Sequence, residues 1–354
     1  MTSLDEPQVY AQYDPQGMIE HIRQMPRRCQ QAWQMAMDFD LPTEYSQVNK
    51  VVVLGMGGSA IGGDLVSSLA ADEAKLPILV HRGYDLPPFV DDQTLVIASS
   101  YSGNTEETLS SFEKALESDA KKLVITTGGR LKTLAEENNI PLFSFDYRAQ
   151  PRAALPFSFL PILGFMQRLG FVGDRSNEVA EMVAVLTQMS RKIDEKKPLV
   201  RNQAKQLAQM LYGRLPVIYG GDMLTEVAHR WKTQLNENSK AWAFYETFPE
   251  LNHNAILGYG FPQEVASRIV VVLLRSPYLP ERIIRRQQIT ARLLKEANIR
   301  YQFVDGFGIS QLTQMMSLVL FGDYVSYYLA LLNQVDPSPV AAIDFLKGEL
   351  GKGE

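Results

Sequence analysis

The 354-residue sequence predicts an α/β protein made of two α-β-α sandwich halves, each built on a parallel sheet. Two observations predict this fold class. Short β-branched runs alternate with helix-length segments, which is typical of βαβ units. The order of strand, glycine turn and helix also occurs twice, in VVVLGMGGSAIGGDL from residue 51 and in PVIYGGDMLTEVAHR from residue 216. The chain is long enough for about two domains.

The first half is predicted to cover residues 46–175, after an N-terminal helical segment over 1–45. In that segment, residues 17–37 are expected to form two helices separated near Pro26. The strands of the first half are four to six apolar residues long, as buried parallel strands are. They are predicted at 51–55, 76–82, 94–102, 122–129 and 140–146, with helices at 59–71, at 105–118 and over the segment LKTLAEENN.

The second half is predicted to cover residues 214–354, after a polar helical linker over 176–213. Strands are expected at 214–222, 268–276 and 299–308, and helices at 224–236, 281–298 and 310–334, with a further helix at the C-terminal end. The helix over 310–334 is long and apolar. Its 3.6-residue spacing and polar flanks predict a buried core helix rather than a membrane span.

Composition excludes several classes of function. The formal net charge of −5 argues against general nucleic-acid binding. The acidic, polar N-terminus lacks the apolar core of a signal peptide, so we expect a cytoplasmic protein that does not associate with a membrane. Cys29 is the single cysteine and is expected to be incidental, with a reactive thiol as the alternative. Four histidines without a His/Cys cluster argue against structural zinc.

The first glycine turn predicts an anion site. Gly57, Gly58 and Ser59 follow a strand and begin a helix, where glycine lets backbone amides approach a ligand and the helix start adds partial positive charge. The spacing matches neither the dinucleotide fingerprint nor the phosphate loop of nucleotide-binding proteins. A tight strand-to-helix turn without a ligand is the alternative interpretation.

A hydroxyl-rich loop follows the strand at 94–102. Ser100, Ser102 and Thr105 lie within six residues of SSYSGNTEET, around Gly103. Hydroxyl donors together with the amides of a helix start are suited to a phosphate monoester. Helix capping by Thr105 is the alternative, but it does not explain why three hydroxyls share one turn.

The two loops together resemble the sugar isomerase (SIS) domain, with its S-x-S-G-N-T and upstream G-x-G-G-S segments. Three further segments resemble the bifunctional phosphoglucose/phosphomannose isomerase family: LNENSK at 235–240, PELNHN at 249–254 and DPSPVAAIDFLKGEL at 336–350. The resemblance extends from about residue 50 to the end. It implies two flavodoxin-like sandwiches and an isomerase that converts glucose 6-phosphate, and mannose 6-phosphate, to fructose 6-phosphate through a cis-enediol without metal or organic cofactor.

The resemblance also implies roles for individual residues. Glu237 matches the catalytic base, and His253 the histidine that opens the sugar ring. Because that histidine enters from the neighbouring subunit in the family, a homodimer with shared active sites is implied. Lys347 matches a lysine that assists ring opening. Arg152 matches an arginine that stabilises the enediolate, although spacing alone leaves Arg148 as an alternative.

The sequence departs from the family pattern at Ala255, where a glutamate is expected after NHN. Substrate breadth is expected to depend on the region of Ser338. His81 is expected to be structural and Asp64 to brace its loop, while the sequence leaves open which helix face His229 occupies.

A sugar-phosphate sensor without a catalytic base is the alternative function. An amidotransferase is disfavoured, because no glutaminase domain with a nucleophilic cysteine is evident.

Overall fold

Two separate parallel sheets organise the chain in the computed structural model, which describes residues 3–352. The first sheet consists of β1 (Lys50–Leu54), β2 (Ile78–His81), β3 (Thr94–Ser100), β4 (Lys121–Thr126) and β5 (Leu142–Ser144). Its strands lie in the order β2–β1–β3–β4–β5, and every neighbouring pair is parallel. The five strands predicted for the first half are therefore confirmed, with β5 shorter than expected.

The second sheet consists of β6 (Leu215–Gly221), β7 (Phe244–Phe248), β8 (Ile269–Arg275) and β9 (Arg300–Asp305). These strands are also parallel, in the order β7–β6–β8–β9. Three of them were predicted. Strand β7 was not predicted, because this edge strand is only partly buried and lacks a continuous apolar run.

The helices of the N-terminal segment and first half are α1 (Pro7–Tyr13), α2 (Met18–Arg23), α3 (Met25–Asp38), α4 (Gly57–Ala70), α5 (Glu106–Leu116), α6 (Gly129–Glu137) and α7 (Leu155–Arg168). Those that follow are α8 (Ser176–Ile193), α9 (Gln203–Leu211), α10 (Thr225–Glu237), α11 (Gln263–Ala266), α12 (Glu281–Glu296), α13 (Gln311–Leu332) and α14 (Ala341–Leu350). The predicted helices are all present, whereas α1, α7 and the single turn α11 were not predicted.

Helix α13 is the core of the second half. Every residue from Leu312 to Leu332 is buried, and α8, α9 and α10 pack against it. Within residues 3–352 it is the one helix long and apolar enough to cross a membrane, yet it lies wholly inside the protein. The predicted core helix is thus confirmed. The tract over 176–213 does more than connect the halves, since α8 buries an apolar stripe that includes Met182 and Leu186.

The two halves meet where α4 packs against α10. Helix α4 begins directly beyond the carboxyl end of β1, and α10 follows β6, the equivalent strand of the second sheet. β1 and β3 are neighbours, so the turn that starts α4 and the loop that starts α5 lie at the same edge of the first sheet. Ligands of open parallel sheets bind beyond such strand ends.

Candidate active site

Arg152 is the buried centre of the site. It lies in the short 3₁₀ turn before α7, and its side chain is 2% exposed. Its Nε donates to Oδ1 of Asn238 (2.6 Å), and its Nη1 donates to Oε2 of Glu237 (3.3 Å). Its Nη2 donates to the carbonyl oxygens of Pro337 and Ser338, the latter at 2.9 Å. The guanidinium therefore connects the first half to the end of α10 and to the segment after α13.

The positive charge of Arg152 is buried away from water, which disfavours the charged form. Burial lowers the pKa of its guanidinium, the Glu237 carboxylate partly offsets this effect, and Arg230 adds to it by repulsion. Arg148, the alternative that spacing left open, is exposed. The structure thus brings Arg152 to Glu237, and Arg148 does not line the cavity that they share.

Glu237 is the last residue of α10, as the sequence predicts. Its side chain is 27% exposed and pairs with Arg152. The following residues fix this helix end, because Asn238 and Ser239 are fully buried and bond to Ser326 of α13. The carboxylate therefore stands on a rigid support and still reaches open space.

A cavity of about 100 Å³ lies beside this pair, between α4 and α10. Its wall comes from both halves of the chain. The lining residues are Gly57, Gly58, Ile61, Arg82, Arg152, His229, Arg230, Thr233, Gln234 and Glu237. The predicted glycine turn and the predicted base therefore line one space.

Gly58 is required for the close approach of α4 to the Arg152 turn. A Cβ atom at this position would lie 2.9 Å from the carbonyl oxygen of Pro151 and 3.2 Å from Cα of Arg152. Both are backbone atoms, which cannot move aside as a flexible side chain can. The absence of a side chain at Gly58 thus lets Arg152 reach the cavity.

The hydroxyl loop between β3 and α5 is organised by its own hydrogen bonds. Oγ of Ser100 lies 2.9 Å from Oγ1 of Thr105 and accepts from the amide of Gly103 (3.1 Å). Ser102 is exposed, and its Oγ accepts from the amide of Asn104 (3.2 Å). Thr105 occupies the N-cap position of α5, and its side chain makes no capping bond.

Gly103 holds this loop against the loop after β4. Its φ is +67°, and a Cβ atom would lie 1.7 Å from the carbonyl oxygen of Gly128. Only glycine fits both constraints. Ser59 connects the glycine turn to the hydroxyl loop, because its Oγ accepts from the amide of Tyr101 (3.0 Å).

Comparison with known proteins identifies the family. Residues 200–350 match the bacterial phospho-glucose isomerase C-terminal SIS domain. The bifunctional phosphoglucose/phosphomannose isomerase of Caldicellulosiruptor bescii is 41% identical over 336 residues, which cover 95% of this chain and 99% of that protein. This chain belongs to the bifunctional phosphoglucose/phosphomannose isomerase family. The member from Aquifex aeolicus is 34% identical and covers 88% of this chain and 94% of its own length.

A solved structure supports the fold of this family member. The C-terminal domain of glucosamine-fructose-6-phosphate aminotransferase from Francisella tularensis superposes with a TM-score of 0.69 at 15% identity. The superposition covers 91% of this chain and 97% of that domain. The predicted pair of SIS-type sandwiches is therefore confirmed.

Two residues that the resemblance to the family singled out lie away from the cavity. His253 is exposed at the end of a 3₁₀ turn, and its ring bonds to no residue that the structure describes. Lys347 is on α14, every residue of which is exposed, and its ammonium group has no ion pair within residues 3–352. Ala255 begins the next 3₁₀ turn, and its amide donates to Oδ1 of Asn254. One copy of the chain therefore brings together Glu237 and Arg152 without either residue.

The sequence did not identify several residues of this family member's cavity wall. Arg82 directly follows β2, and three- and four-residue intervals place His229 and Thr233 on the helix face that carries Glu237. His229 stacks on Tyr245, with ring centroids 4.8 Å apart. The helical spacing alone could have indicated this face of α10, but the contribution of Arg82 depends on how the halves pack.

A group of potential metal ligands adjoins this end of the cavity. One ligand atom each of Asp64, Glu226 and His229 lies within 4.8 Å of the other two. Arg82 forms an ion pair with Asp64, and His229 Nδ1 lies 2.9 Å from Oε2 of Glu226. Burial raises the pKa of Asp64, and Arg82 partly offsets this shift. The Asp64 carboxylate is thus engaged in an ion pair with the residue that follows β2.

Cys29 is buried in α3, far along the chain from the site residues. Burial raises the pKa of its thiol to about 12, so the nucleophilic thiolate is strongly disfavoured at neutral pH. This agrees with an incidental cysteine rather than a reactive one.

Proposed function

We propose that the protein is an aldose–ketose isomerase that interconverts glucose 6-phosphate and mannose 6-phosphate with fructose 6-phosphate. The observation that carries the proposal is the pairing of the Glu237 carboxylate with the buried Arg152 at a cavity between the two halves. A carboxylate can move a proton between adjacent carbons, and a fixed cation beside it can stabilise the oxyanion that forms. Membership of the bifunctional isomerase family supports these substrates.

The phosphate group is held at the hydroxyl loop. Ser100, Ser102 and Thr105 supply hydroxyl groups there, and the amides of the first turn of α5 have no intrahelical partners. Helix starts favour anions for this reason. The glycine turn with Gly57, Gly58 and Ser59 lies between this loop and Glu237, so it contacts the sugar itself.

The reaction moves one proton between carbon atoms and one between oxygen atoms. The carboxylate of Glu237 takes the proton from C2 of the open-chain aldose phosphate. The C–H electrons form the C1–C2 double bond, and the aldehyde oxygen O1 becomes the oxyanion of a cis-enediolate, which Arg152 stabilises. The hydroxyl proton of O2 passes to O1, and Glu237 returns its proton to C1 as O2 becomes the carbonyl oxygen of the ketose. The carboxylate ends in its starting state and the sugar keeps the same number of protons, so the step needs no other reactant.

Ring opening is assigned to His253 and Lys347 in a homodimer. An imidazole titrates near neutral pH and can pass a proton to or from the ring oxygen. The exposure of both residues supports a site that a second copy of the chain completes. Large apolar side chains that precede and follow His253 in the chain are also exposed, including Trp242 (77%), Leu257 (85%) and Phe261 (83%). Exposed apolar surface, where it is contiguous, is typical of interfaces.

Acceptance of both sugars requires rotation about the C2–C3 bond of the enediol, since glucose and mannose phosphates differ only at C2. The region of Ser338 is suited to control this rotation. Its carbonyl oxygen is bonded to Arg152, and its own hydroxyl is buried without a partner among the described residues. We propose that this hydroxyl faces the reacting carbons.

A coupled assay on fructose 6-phosphate, scoring glucose 6-phosphate and mannose 6-phosphate separately, tests the proposed function. The wild-type protein is expected to form both, and Glu237→Gln to form neither. Glu296→Gln is the matched control, because Glu296 also ends a helix but is exposed and does not line the cavity. Wild-type turnover in Glu237→Gln would contradict the assignment of the base, and binding without turnover in the wild type would favour a sensor.

Mixing two inactive variants tests the shared site. Chains carrying Glu237→Gln are combined with chains carrying His253→Ala, and subunit exchange is verified by mass. Heterodimers are expected to regain part of the activity, because one of their sites has both intact residues. No recovery after exchange would contradict the contribution of His253 across subunits.

We further propose that the protein acts in the cytoplasm, in glycolysis and gluconeogenesis. The interconversion of glucose 6-phosphate and fructose 6-phosphate is a step of both routes. The mild net acidity is consistent with a protein that binds neither nucleic acid nor a membrane surface. Cell fractionation followed by the isomerase assay would test this location.

A further inference from the structure

Helix α13 contains one charged residue, Asp323, in a segment that is otherwise apolar or neutral. The side chain of Asp323 is 3% exposed. Its carboxylate accepts from Nη2 of Arg230 at 2.9 and 3.1 Å and from Nε2 of Gln234 at 2.9 Å. A buried carboxylate is costly unless it is paired, so the position of this residue requires an explanation.

Asp323 is connected to the site through α10. Arg230 and Gln234 occupy successive turns of this helix, and Glu237 ends its next turn. The guanidinium of Arg230 also donates to the carbonyl oxygen of Arg152 (3.2 Å). One carboxylate therefore anchors the helix that carries the base and, through Arg230, the backbone of the arginine beside it.

A second connection runs through the backbone of Asp323. Oγ of Ser326 donates to the carbonyl oxygen of Asp323 (2.9 Å) and accepts from Nδ2 of Asn238 (3.0 Å). Oδ1 of Asn238 in turn accepts from Nε of Arg152. The turn of α13 that begins at Asp323 thus supports Arg152 from a second side.

The charges at this centre are balanced. Arg152 and Arg230 are cationic and 2% and 1% exposed, while Glu237 and Asp323 are anionic. Burial raises the pKa of the Asp323 carboxyl, and the charges of Arg230 and Arg152 together with the hydrogen bonds from Arg230 and Gln234 offset part of this shift. Without the charge of Asp323, the carboxylate of Glu237 alone would balance the two buried guanidiniums of Arg152 and Arg230.

If Asp323 carried no charge, Lys240 would add to the excess of positive charge around Glu237. Its ammonium group donates to the carbonyl oxygen of Glu237, and its charge also interacts with those of Glu237 and Asp336. The balance between Asp323 and Arg230 therefore sets the net charge that surrounds Glu237.

We propose that Asp323 is a positioning residue for the isomerase reaction, which neutralises Arg230 and so leaves the Glu237 carboxylate free to act as a base beside Arg152. The inference rests on the proposed function, because it assigns Asp323 a role relative to Glu237. A purely structural role, in which Asp323 only fastens α10 to α13, is the alternative. The positioning role and the structural role predict different effects of removing a charge, because fastening α10 to α13 does not depend on the sign of the charge that remains.

The test compares the pH dependence of kcat in three variants. The acidic limb is the fall of kcat at low pH, where the base becomes protonated. In Asp323→Asn, the excess positive charge is expected to move this acidic limb to lower pH and to reduce kcat by about 10-fold or more. In Arg230→Gln, the excess negative charge should move the same limb to higher pH. The double variant removes both charges and should return the limb to its wild-type position.

Tyr324→Phe is the matched control, because Tyr324 neighbours Asp323 in α13 and its hydroxyl bonds to Ser190, outside the site. Its acidic limb should stay at the wild-type position. A structural role would lower the melting temperature of all three charge variants but leave their limbs in place, and that result would overturn the proposal. If Asp323→Asn does not fold, the comparison of Arg230→Gln, with its limb at higher pH, and the double variant, with its limb at the wild-type position, decides the question.

Wild-type protein and Glu237→Gln are assayed in the same series. Absence of isomerase turnover in the wild-type protein would contradict the proposed function itself. Normal wild-type turnover with limbs that do not move in the charge variants would contradict only the role of Asp323. The two failures are therefore distinguishable.

Discussion

Replacing Arg152 by lysine keeps the positive charge but removes the planar arrangement of donors. In the native protein, three nitrogens of the guanidinium reach four acceptors, on Asn238, Glu237, Pro337 and Ser338. A lysine presents its donors from one atom, so it cannot reach both edges of this group. About two of the oxygens are expected to lose their partner.

The structure gives the size of the effect. Each buried oxygen left without a donor costs about 1–3 kcal/mol, so loss of two donors should lower the free energy of unfolding by roughly 2–6 kcal/mol. For a chain of this length, the entropy of unfolding is about 0.7 kcal/mol/K, which converts this loss to a Tm decrease of about 3–8 °C. Loss of the donor beside the developing oxyanion should reduce kcat by about 100-fold.

Differential scanning fluorimetry and the coupled isomerase assay measure the two effects. Arg148→Lys is the matched control, because Arg148 is exposed nearby in the chain and should tolerate lysine without change in Tm or kcat. If Arg152→Lys keeps the wild-type Tm and kcat, or if Arg148→Lys is the damaging variant, the reasoning from the guanidinium contacts is refuted.

Three further predictions concern the loops and the helix end. Gly58→Ala should lower stability by about 1–3 kcal/mol in urea unfolding and reduce kcat, because its Cβ would meet backbone atoms, whereas Gly258→Ala has open space and should do neither. Ser102→Ala should raise KM about 10-fold at unchanged kcat, since one bond to a charged phosphate is lost; an unchanged KM would exclude this contact. Burial lowers the pKa of Lys240 from 10.5 to about 8, so an unfolded chain binds a proton there over this pH range that the folded chain does not. The free energy of unfolding of the wild type, measured relative to that of Lys240→Met, should therefore fall as the pH decreases from about 10 to 8. Urea midpoints that change with pH by the same amount in both proteins would contradict this prediction.

The first sheet and the two loops after β1 and β3 could be predicted because their signals are local. The run VVVL is buried on both faces in β1, and the glycine turn follows it directly. Glu237 was placed correctly at a helix end for the same reason, since the periodicity of α10 stops there. The carboxyl ends of neighbouring parallel strands must meet at one edge, which brings the loops together.

Elements with conflicting local signals were missed. Helix α7 contains Pro161 in its interior, and an interior proline normally indicates interruption of a helix. Burial of residues 155–166 of this helix, which packs against α3 and α4, outweighs this preference. The edge strand β7 was missed because Phe244 and its neighbours are only partly covered.

The cavity wall could not be predicted because it depends on how the halves pack. Arg82 and Arg230 are far apart in sequence and meet only where α4 lies against α10. The ion pair between Arg230 and Asp323 crosses 93 positions, and no spacing rule connects such residues. The family resemblance identified Glu237 and Arg152 but carried no information about the charges behind them.

The proposed mechanism depends on transfer of a proton by Glu237 between C1 and C2 of the sugar. Isomerisation in D₂O, with deuterium at C2 of the recovered aldose phosphate read by mass spectrometry, tests this transfer. We expect deuterium at C2 with the wild-type protein and none above the enzyme-free background with Glu237→Gln. Isomerisation by the wild type without solvent deuterium, or equal incorporation by Glu237→Gln, would contradict the proposed mechanism.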